Sequence, residues 1–365
     1  MGAIDQAFIL EQEHRPKPSI GYAEGIPLID LSPLSSPDDH KTTTSIDGLV
    51  SEIGNACKDW GFFQVINHGV PLEKRQKVED SGRKFFGLSL EEKRKIRKTE
   101  KQILGYNDSE HTKNIRDWKE VFDFVANDPT LLPVSHDPDD KEITELHNVW
   151  PEYPPELKEV CEEYVEEMEK LAYKLLELIA LSLGLPANRF HRFYKDQTTY
   201  MRLNYYQPCP APELALGVGR HKDGGALTIL YQDHVGGLQV KRKSDGEWLT
   251  VKPTPDAFIV NVGDVFQVWT NEAYESAEHR AAVNSEKDRF SIPFFFNPAH
   301  YTMVEPLEEL TSEQSPPKYR AYNWGKFYRT KRHSNFKKSN VENLQISHFR
   351  IPELAIKLEG ALSIN

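Results

Sequence analysis

The chain has 365 residues, 38% of them hydrophobic and 11% aromatic, enough for a well-buried core in one large domain or two modest ones. Its formal net charge is -11 and its pI about 5.7, so its surface repels phosphate backbones and anionic lipids, and we expect neither nucleic acid nor a membrane as partner. No apolar run approaches the roughly 20 residues of a membrane span, and three cysteines without a CxxC spacing argue against a disulfide framework or a structural zinc site.

The N-terminal region is polar and carries acids where a secretory signal has an apolar segment, so we predict a flexible arm over residues 1–25. Gly25–Asp30 has the composition of a short strand. Apolar residues then recur at helical spacing from Ile46 to Cys57, and Phe62–Asn67 is strand-like. The three cysteines are interpreted as buried small hydrophobes in a reducing compartment, most simply the cytoplasm.

Three further helices are predicted before residue 190, one ending near Phe86, one over Leu90–Lys98 and a long one over Pro155–Leu183. Gly184 and Pro186 stop the long helix. Its apolar residues form one stripe, at Leu157, Val160, Tyr164, Met168, Leu171, Leu175 and Ile179. We therefore interpret this helix as scaffold.

From about Thr198 the apolar pattern changes to alternation, which indicates strands. Eight are predicted: Tyr200–Tyr206, Ala226–Tyr231, Gly237–Val240, Glu247–Val251, Ala257–Val262, Val265–Trp269, His279–Val283 and Arg289–Phe294. Closely spaced strands of this number favour a double-sheet jelly roll. The predicted fold is α+β: a mainly helical half over 26–190, a jelly-roll catalytic core over 191–300 and a helical segment over 301–365.

The stretch Lys318–Lys338 is basic and aromatic. In isolation it would fit a nucleic-acid patch. Because the chain as a whole is acidic, we favour a solvated helix face, and we expect part of the C-terminal segment to cover the active site.

His221 and Asp223 are two residues apart, and side chains at i and i+2 of an extended segment point the same way. His279 opens a later strand that a jelly roll can fold back to the same point. Two imidazoles and a carboxylate on one face of an ion leave positions open, which suits Fe(II) handling O2 better than zinc. Two such residues in a surface loop are also common, so the assignment needs further support.

Arg289 and Ser291 share a strand face and would point into the same barrel as His279. A buried guanidinium needs an anion, such as the distal carboxylate of 2-oxoglutarate. Asn204 and Tyr206 also share a face, and each can donate a hydrogen bond to an oxyanion near the metal. The alternatives are an exposed ion-pair residue at 289 and an ordinary strand that ends in a proline-rich turn.

The ordered motifs resemble the plant 2-oxoglutarate-dependent dioxygenases, which include flavonol synthase, anthocyanidin synthase, gibberellin oxidases and many alkaloid and hormone hydroxylases. The resemblance covers nearly the whole chain. It rests on Ile26–Leu31, Trp60–Pro71, Asn204–Tyr206, His221–Asp223 with Ala226–Thr228, Val262–Asp264, Glu278–Arg280, Arg289–Ser291 and Pro316–Tyr319.

The resemblance implies a double-stranded β-helix with flanking helices, and it implies Fe(II), 2-oxoglutarate and O2 as reactants, with ascorbate as reductant. By position, the metal ligands fall on His221, Asp223 and His279. The contacts to 2-oxoglutarate fall on Arg289 and Ser291 for the distal carboxylate, and on Asn204 and Tyr206 near the keto-acid end.

The resemblance also suggests substrate contacts at Phe295, Asn297, Arg202 and the strand Val121–Phe124, which contains Asp123. The alternative for these positions is a purely structural role, as core residues or as ordinary strand residues. For Asp123, a structural hydrogen bond is favoured over an amine-binding role.

Two departures from the family pattern are modest. Gln207 stands where relatives often carry proline, and Gly224–Gly225 would leave extra room beside the iron.

The expected activity is hydroxylation, desaturation or demethylation of a small lipophilic or aromatic plant metabolite by a cytoplasmic monomer, with release of succinate and CO2. The alternatives are an oxidase of the same fold that does not use 2-oxoglutarate, and a non-catalytic small-molecule binding protein.

Overall fold

A computed structural model describes most of the chain. The described residues are 4–17, 20–22, 25–35, 42–137, 139–334 and 344–352. The α-helices among them are α1 Thr42–Asp59, α2 Leu72–Phe86, α3 Leu90–Arg94, α4 Leu157–Ser182, α5 Asp264–Trp269 and α6 Trp324–Ser334.

The strands are short, as alternating segments bounded by turn residues predict. They are β1 Leu28–Asp30, β2 Phe62–Ile66, β3 Gly105–Asn107, β4 His111–Thr112, β5 Ile115–Arg116, β6 Glu120–Val125, β7 Thr130–Pro133, β8 Ile143–Leu146, β9 Tyr200–Tyr206, β10 Val218–His221, β11 Leu227–Gln232, β12 Leu238–Lys241, β13 Trp248–Thr250, β14 Phe258–Val262, β15 His279–Ala281, β16 Arg289–Phe296, β17 Met303–Val304 and β18 Tyr322–Asn323.

Two packed sheets form the core. The large sheet has the order β1-β2-β14-β11-β16-β9-β6-β3, and the small sheet has the order β10-β15-β12-β13. Phe62 and Ile259 of the large sheet pack against Leu238 and Val240 of the small one. Strands β9 to β16 alternate between the two sheets, except that β12 and β13 are neighbours in the small sheet, and this topology confirms the predicted α+β fold with a jelly-roll core.

Strands from the N-terminal half extend the large sheet at both edges. β6 pairs antiparallel with β9, and β2 pairs antiparallel with β14. The large sheet therefore includes strands from both sides of the predicted boundary at residue 190. The division of the chain into segments stays a prediction.

The long helix α4 packs against α1 and α2 and against β11 and β16 of the large sheet. Its predicted stripe is buried, apart from the half-buried Val160. Gly184, with a φ of 74°, follows the helix and provides the left-handed conformation that ends it. The three cysteines are free and buried, as predicted. Within the described residues, no helix is both long and apolar enough to cross a membrane.

One predicted strand is wrong. Val265–Trp269 lies in helix α5, and the eighth strand of the core is β10, which the sequence did not reveal. All six residues of α5 are buried. A segment that is buried on every side shows no clear helical periodicity, so its β-branched and aromatic residues gave a false strand signal.

The described part of the predicted flexible arm contacts the rest of the protein. Leu10 is buried, and its backbone N–H donates to the carbonyl of Leu214. The ring of Phe8 lies edge-on to Trp118, with 4.8 Å between ring centroids.

The predicted solvated face of the basic stretch is also wrong. Arg329 and Arg332 of α6 are buried, and Arg332 reaches an aspartate in the protein interior. Residues 335–338 of this stretch lie outside the described residues.

Candidate metal centre and substrate cavity

Three potential metal ligands meet at one point. His221 ends β10 and His279 opens β15, and these residues face each other in the pairing of the two strands. Asp223 lies in the loop after β10. The Nε2 atoms of both imidazoles are 3.6 Å from Asp223 Oδ1. One ligand atom of each residue lies within 4.8 Å of the others, so the three side chains can hold one ion.

The two oxygens of Asp223 have different partners. Oδ2 accepts hydrogen bonds from Thr228 Oγ1 at 2.7 Å and from Asn261 Nδ2 at 2.8 Å, and these donors belong to β11 and β14 of the large sheet. Oδ1 is the oxygen that faces the two imidazoles. The donors therefore fix the carboxylate so that one oxygen is available to an ion.

Backbone carbonyls orient both imidazoles. His221 Nδ1 lies 2.8 Å from the Gly219 carbonyl oxygen, and His279 Nδ1 lies 3.2 Å from that of Ala277. A carbonyl oxygen only accepts, so each Nδ1 must carry the proton. The Nε2 of each ring faces the shared point, and in the neutral tautomer with the proton on Nδ1 it is free to bind a metal.

The site favours ligands in their metal-binding protonation states. Burial raises the pKa of the Asp223 carboxyl, but the imidazoles of His279 and His221 outweigh this and hold its pKa below the ordinary value. Burial and the neighbouring His221 lower the pKa of His279 to about 4. Near neutral pH the acid is ionised and His279 is neutral.

Helix α5 fixes the position of the loop after β10 that carries Asp223, which we call the ligand loop. The first N–H groups of a helix have no partner within the helix. Here Asp264 N donates to the Asp223 carbonyl at 2.8 Å, and Val265 N donates to that of Gly225 at 3.0 Å. The helix that was predicted as a strand therefore holds the loop carrying Asp223.

The donor set fits Fe(II). Two imidazole nitrogens and one carboxylate oxygen on one side of an ion leave its other coordination positions to small molecules. The described residues contain one other cluster of acids and histidine, Glu11, Glu13 and His14. That cluster lies in a largely exposed turn, and its exposed acids are typical of a solvated surface.

We expect Thr228→Val to weaken metal binding by about tenfold, because it removes one of the two donors that orient Asp223. The substitution preserves side-chain shape, and the lost hydrogen bond should reduce the free energy of unfolding by only about 1 kcal/mol. Titration of the apoprotein with Mn(II) measures the affinity. Thr250→Val on β13 is the matched control, and equal affinities of the two variants would contradict an orienting role for Thr228.

Arg289 is 3% exposed, and its hydrogen-bond partners among the described residues are all neutral. Its Nε donates to the Gly236 carbonyl, Nη1 to Ser291 Oγ at 3.4 Å and Nη2 to Gln232 Oε1 at 3.3 Å. A buried guanidinium with only neutral partners is costly unless a ligand supplies the anion. The predicted alternative of an exposed ion-pair residue is therefore wrong.

Asn204 and Tyr206 lie beside this guanidinium. Asn204 Nδ2 donates to Ser291 Oγ at 3.3 Å, and the Arg289 guanidinium lies 4.6 Å above the centre of the Tyr206 ring. The resemblance had assigned both residues to the keto-acid end of the cosubstrate. In the structure both residues contact the residues assigned to its distal carboxylate, and their assignment to the keto-acid end stays a prediction. Gln232, which completes this group, was missed because a glutamine on a strand carries no sequence signal.

A cavity of about 740 Å³ opens onto two of the three potential metal ligands, His221 and Asp223. Three of the five predicted substrate contacts line it, namely Phe295, Asn297 and Arg202. Phe295 stacks on Tyr200, with 4.5 Å between ring centroids. The side-chain oxygen of Asn297 is buried and has no hydrogen-bond partner among the described residues.

Val121 and Asp123 do not line this cavity, which corrects their assignment as substrate contacts. Both are fully buried in β6. Asp123 Oδ2 accepts from Lys98 at 2.5 Å and from Arg332 at 2.7 Å, and Asp123 Oδ1 accepts from Arg202 at 2.6 Å. Its favoured structural role therefore fits its contacts.

Helix α6 forms another wall of the cavity, through Trp324, Phe327, Tyr328, Lys331 and Arg332. Gln345, from the last described segment, also lines it and accepts a hydrogen bond from Lys331 Nζ at 3.1 Å. The described C-terminal residues thus form part of the cavity wall, and the covering of the active site by the whole segment stays a prediction.

The glycine pair beside Asp223 does not leave the extra room that we expected. A Cβ at Gly225 would overlap Asn297 Oδ1, and one at Gly224 would lie 3.4 Å from Phe327 and 3.5 Å from Lys331. The two glycines instead allow Asn297 and α6 to approach the ligand loop closely.

The described walls of the cavity carry an excess of positive charge. Seven cationic side chains line it, Lys113, Lys119, Arg202, Arg220, Lys222, Lys331 and Arg332. Four acidic side chains do so, Glu110, Asp117, Asp223 and Glu278. Nothing in the sequence pattern pointed to this group, because its members come from distant parts of the chain.

Two family models match the chain. The model described as the 2OG-Fe(II) oxygenase superfamily covers residues 197–298, and that described as non-haem dioxygenase in morphine synthesis N-terminal covers 26–153.

Similar proteins include jasmonate-induced oxygenase 2 of Arabidopsis thaliana, 39% identical over 81% of this chain and 76% of the relative. Codeine O-demethylase of Papaver somniferum is 36% identical over 82% and 79% of the two chains. Among solved structures, that of JOX2 in complex with 2OG, Fe and JA has a TM-score of 0.78 and 32% identity, and the match covers 96% of this chain and 95% of that one.

Proposed function

The chain belongs to the 2OG-Fe(II) oxygenase superfamily, and from this premise we propose which of its residues carry the reaction. It is an oxidoreductase that uses Fe(II) and 2-oxoglutarate. His221, Asp223 and His279 hold the iron. Arg289 and Ser291 bind the distal carboxylate of 2-oxoglutarate, and Asn204 and Tyr206 support them.

The observation that carries this proposal is the buried Arg289 guanidinium, whose described partners are all neutral. Arg202 and Arg332 are also buried, but each has an internal carboxylate. Of these three arginines, Arg289 is the one assigned to the cosubstrate. It is also the one without a carboxylate partner among the described residues. A dicarboxylate supplies the missing anion through two parallel charge-assisted hydrogen bonds.

Fe(II) and 2-oxoglutarate, when bound, supply the oxidising chemistry, in which O2 is consumed, 2-oxoglutarate becomes succinate and CO2, and a C–H bond of the substrate is oxidised. The protein places that C–H bond and limits the access of water, with α6 and its aromatic side chains as one wall. The product is a hydroxylated, desaturated or demethylated metabolite. Demethylation is the activity named for codeine O-demethylase.

The substrate is a small plant metabolite with a lipophilic or aromatic part. The stacked rings of Tyr200 and Phe295 offer a flat apolar surface for it. Asn297 lines the cavity, and its side-chain amide forms a hydrogen bond with a polar group of the substrate. We further propose that the enzyme acts as a cytoplasmic monomer with ascorbate as reductant.

The test begins with the purified protein, Fe(II) and 2-oxoglutarate in the absence of O2. We expect a weak visible charge-transfer band from the iron chelate, which disappears when 2-oxoglutarate is omitted. Its absence in folded protein at saturating reagents would contradict the proposed chelate.

O2 and a panel of phenylpropanoids, flavonoids, alkaloids and hormones are then added, and succinate and product mass are measured. We expect succinate to form as the substrate is consumed. Substrate loss without succinate would favour the oxidase that does not use 2-oxoglutarate.

A further inference from the structure

The described walls of the cavity have a net positive charge, whereas the whole chain has a net negative charge. The chain has a formal net charge of -11, whereas the described walls carry seven cationic and four acidic side chains. One of the four acids, Asp223, is assigned to the metal. The remaining walls therefore favour a negatively charged occupant.

Among the described residues, the charged side chains that lie behind the cavity wall do not offset the positive charge of the wall. Behind the wall, Asp123 pairs with Arg202 and Arg332, and Asp264 acts on Lys331. Two further cations lie in the same layer, since Lys98 contacts Glu110 and Lys241 contacts Glu278. These two acids and two lysines balance, so the described lining keeps its excess of three positive charges.

Lys331 is the wall cation whose position is best suited to meet a ligand. Its side chain crosses Gly224, next to Asp223, and a Cβ on that glycine would lie 3.5 Å from Lys331 Cε. Its Nζ donates to Gln345 Oε1, a neutral group that an anion can join, while the carboxylates of Asp264 and Asp223 act on it from a distance. Its Nζ also lies 5.4 Å from the centre of the Phe327 ring.

We infer that the substrate is an organic acid whose carboxylate is bound by the positive wall at Lys331 while its apolar body lies on Tyr200 and Phe295. This inference rests on the proposed function and narrows its substrate class. Lys331 is then a specificity-determining residue, since it separates acids from neutral molecules of the same shape.

2-Oxoglutarate is itself an anion, so the experiment must exclude binding at the cosubstrate site. The protein is loaded with Fe(II) and saturating 2-oxoglutarate under anaerobic conditions, and the charge-transfer band confirms the loading. trans-Cinnamic acid, 1-naphthylacetic acid and cyclohexylacetic acid are then titrated, each beside its methyl ester, and binding is measured by calorimetry. Loss of the band at this stage would contradict the proposed function, independently of the substrate class.

We expect at least one acid to bind about tenfold more tightly than its ester. Lys331→Gln should reduce this preference by about fivefold or more, while Lys331→Arg, which keeps the charge, should largely preserve it. Lys174→Gln, an exposed position on α4 outside the cavity, is the matched control and should leave the preference unchanged.

Equal binding of acids and esters, or no binding of any acid to protein that retains the band, would overturn the inference. A preference for acids that Lys331→Gln leaves intact would overturn the role given to Lys331.

Discussion

Asp223→Ala is expected to lower turnover by at least about a thousandfold, which corresponds to roughly 4 kcal/mol in activation free energy. Asp223 supplies the only carboxylate oxygen among the three ligands that meet at the site. Without it, two imidazoles must hold the ion alone, and the negative charge that offsets the metal is lost. Succinate formation with an accepted substrate measures the effect.

Loss of activity must be separated from loss of fold in this variant. Removing the carboxylate leaves the donors Thr228 and Asn261 without their acceptor in a buried site, which reduces stability. Thermal unfolding and Mn(II) titration are therefore measured beside turnover. Asp139→Ala, at an exposed position outside the site, is the control. Appreciable turnover by folded Asp223→Ala would exclude the assigned ligand.

The metal triad could be predicted because its signals are local. His221 and Asp223 are two residues apart, and His279 opens a strand with clear alternation. The donors that orient them could not be predicted in the same way. Thr228 and Asn261 are ordinary strand residues, and their role depends on a pairing of β11 with β14 that places Thr228 opposite Asn261.

The exchange of one strand for a helix shows a second limit of sequence patterns. The short apolar segment Val265–Trp269 was predicted as a strand, although Gly263 just before it is the N-cap of a helix whose first N–H groups bind the loop that carries Asp223. Tertiary contacts decide such short apolar segments, since local propensity is a weak guide. The number of core strands was right because β10 replaced the missing one.

The cavity was the least predictable part of the site. The resemblance suggested Phe295 as a substrate contact, and Phe295 does lie in the cavity wall. The charges around it come from β4 to β6, from β9 and β10 and from α6, segments far apart in the chain. Arg332 belongs to a stretch predicted to be solvated, because a run of basic residues carries no sign of a buried partner such as Asp123.

Arg289→Ala is expected to raise the KM for 2-oxoglutarate by about a hundredfold while kcat at saturating 2-oxoglutarate changes by only a few-fold. A bidentate, charge-assisted contact contributes about 3 kcal/mol in a buried site, and this matches the expected change. Arg289→Lys keeps the charge but loses the planar fork, so its KM should be intermediate. Arg192→Ala, at an exposed position, should leave the KM unchanged.

The comparison of KM with kcat distinguishes lost cosubstrate binding from partial misfolding. A smaller fraction of active protein lowers kcat and leaves KM unaltered. A second comparison identifies the group that Arg289 binds. 2-Oxobutyrate has the keto acid but no distal carboxylate, so the normal enzyme should strongly prefer 2-oxoglutarate, and Arg289→Ala should lose most of that preference. An equal preference in both proteins would place the distal carboxylate elsewhere and leave the buried guanidinium unexplained.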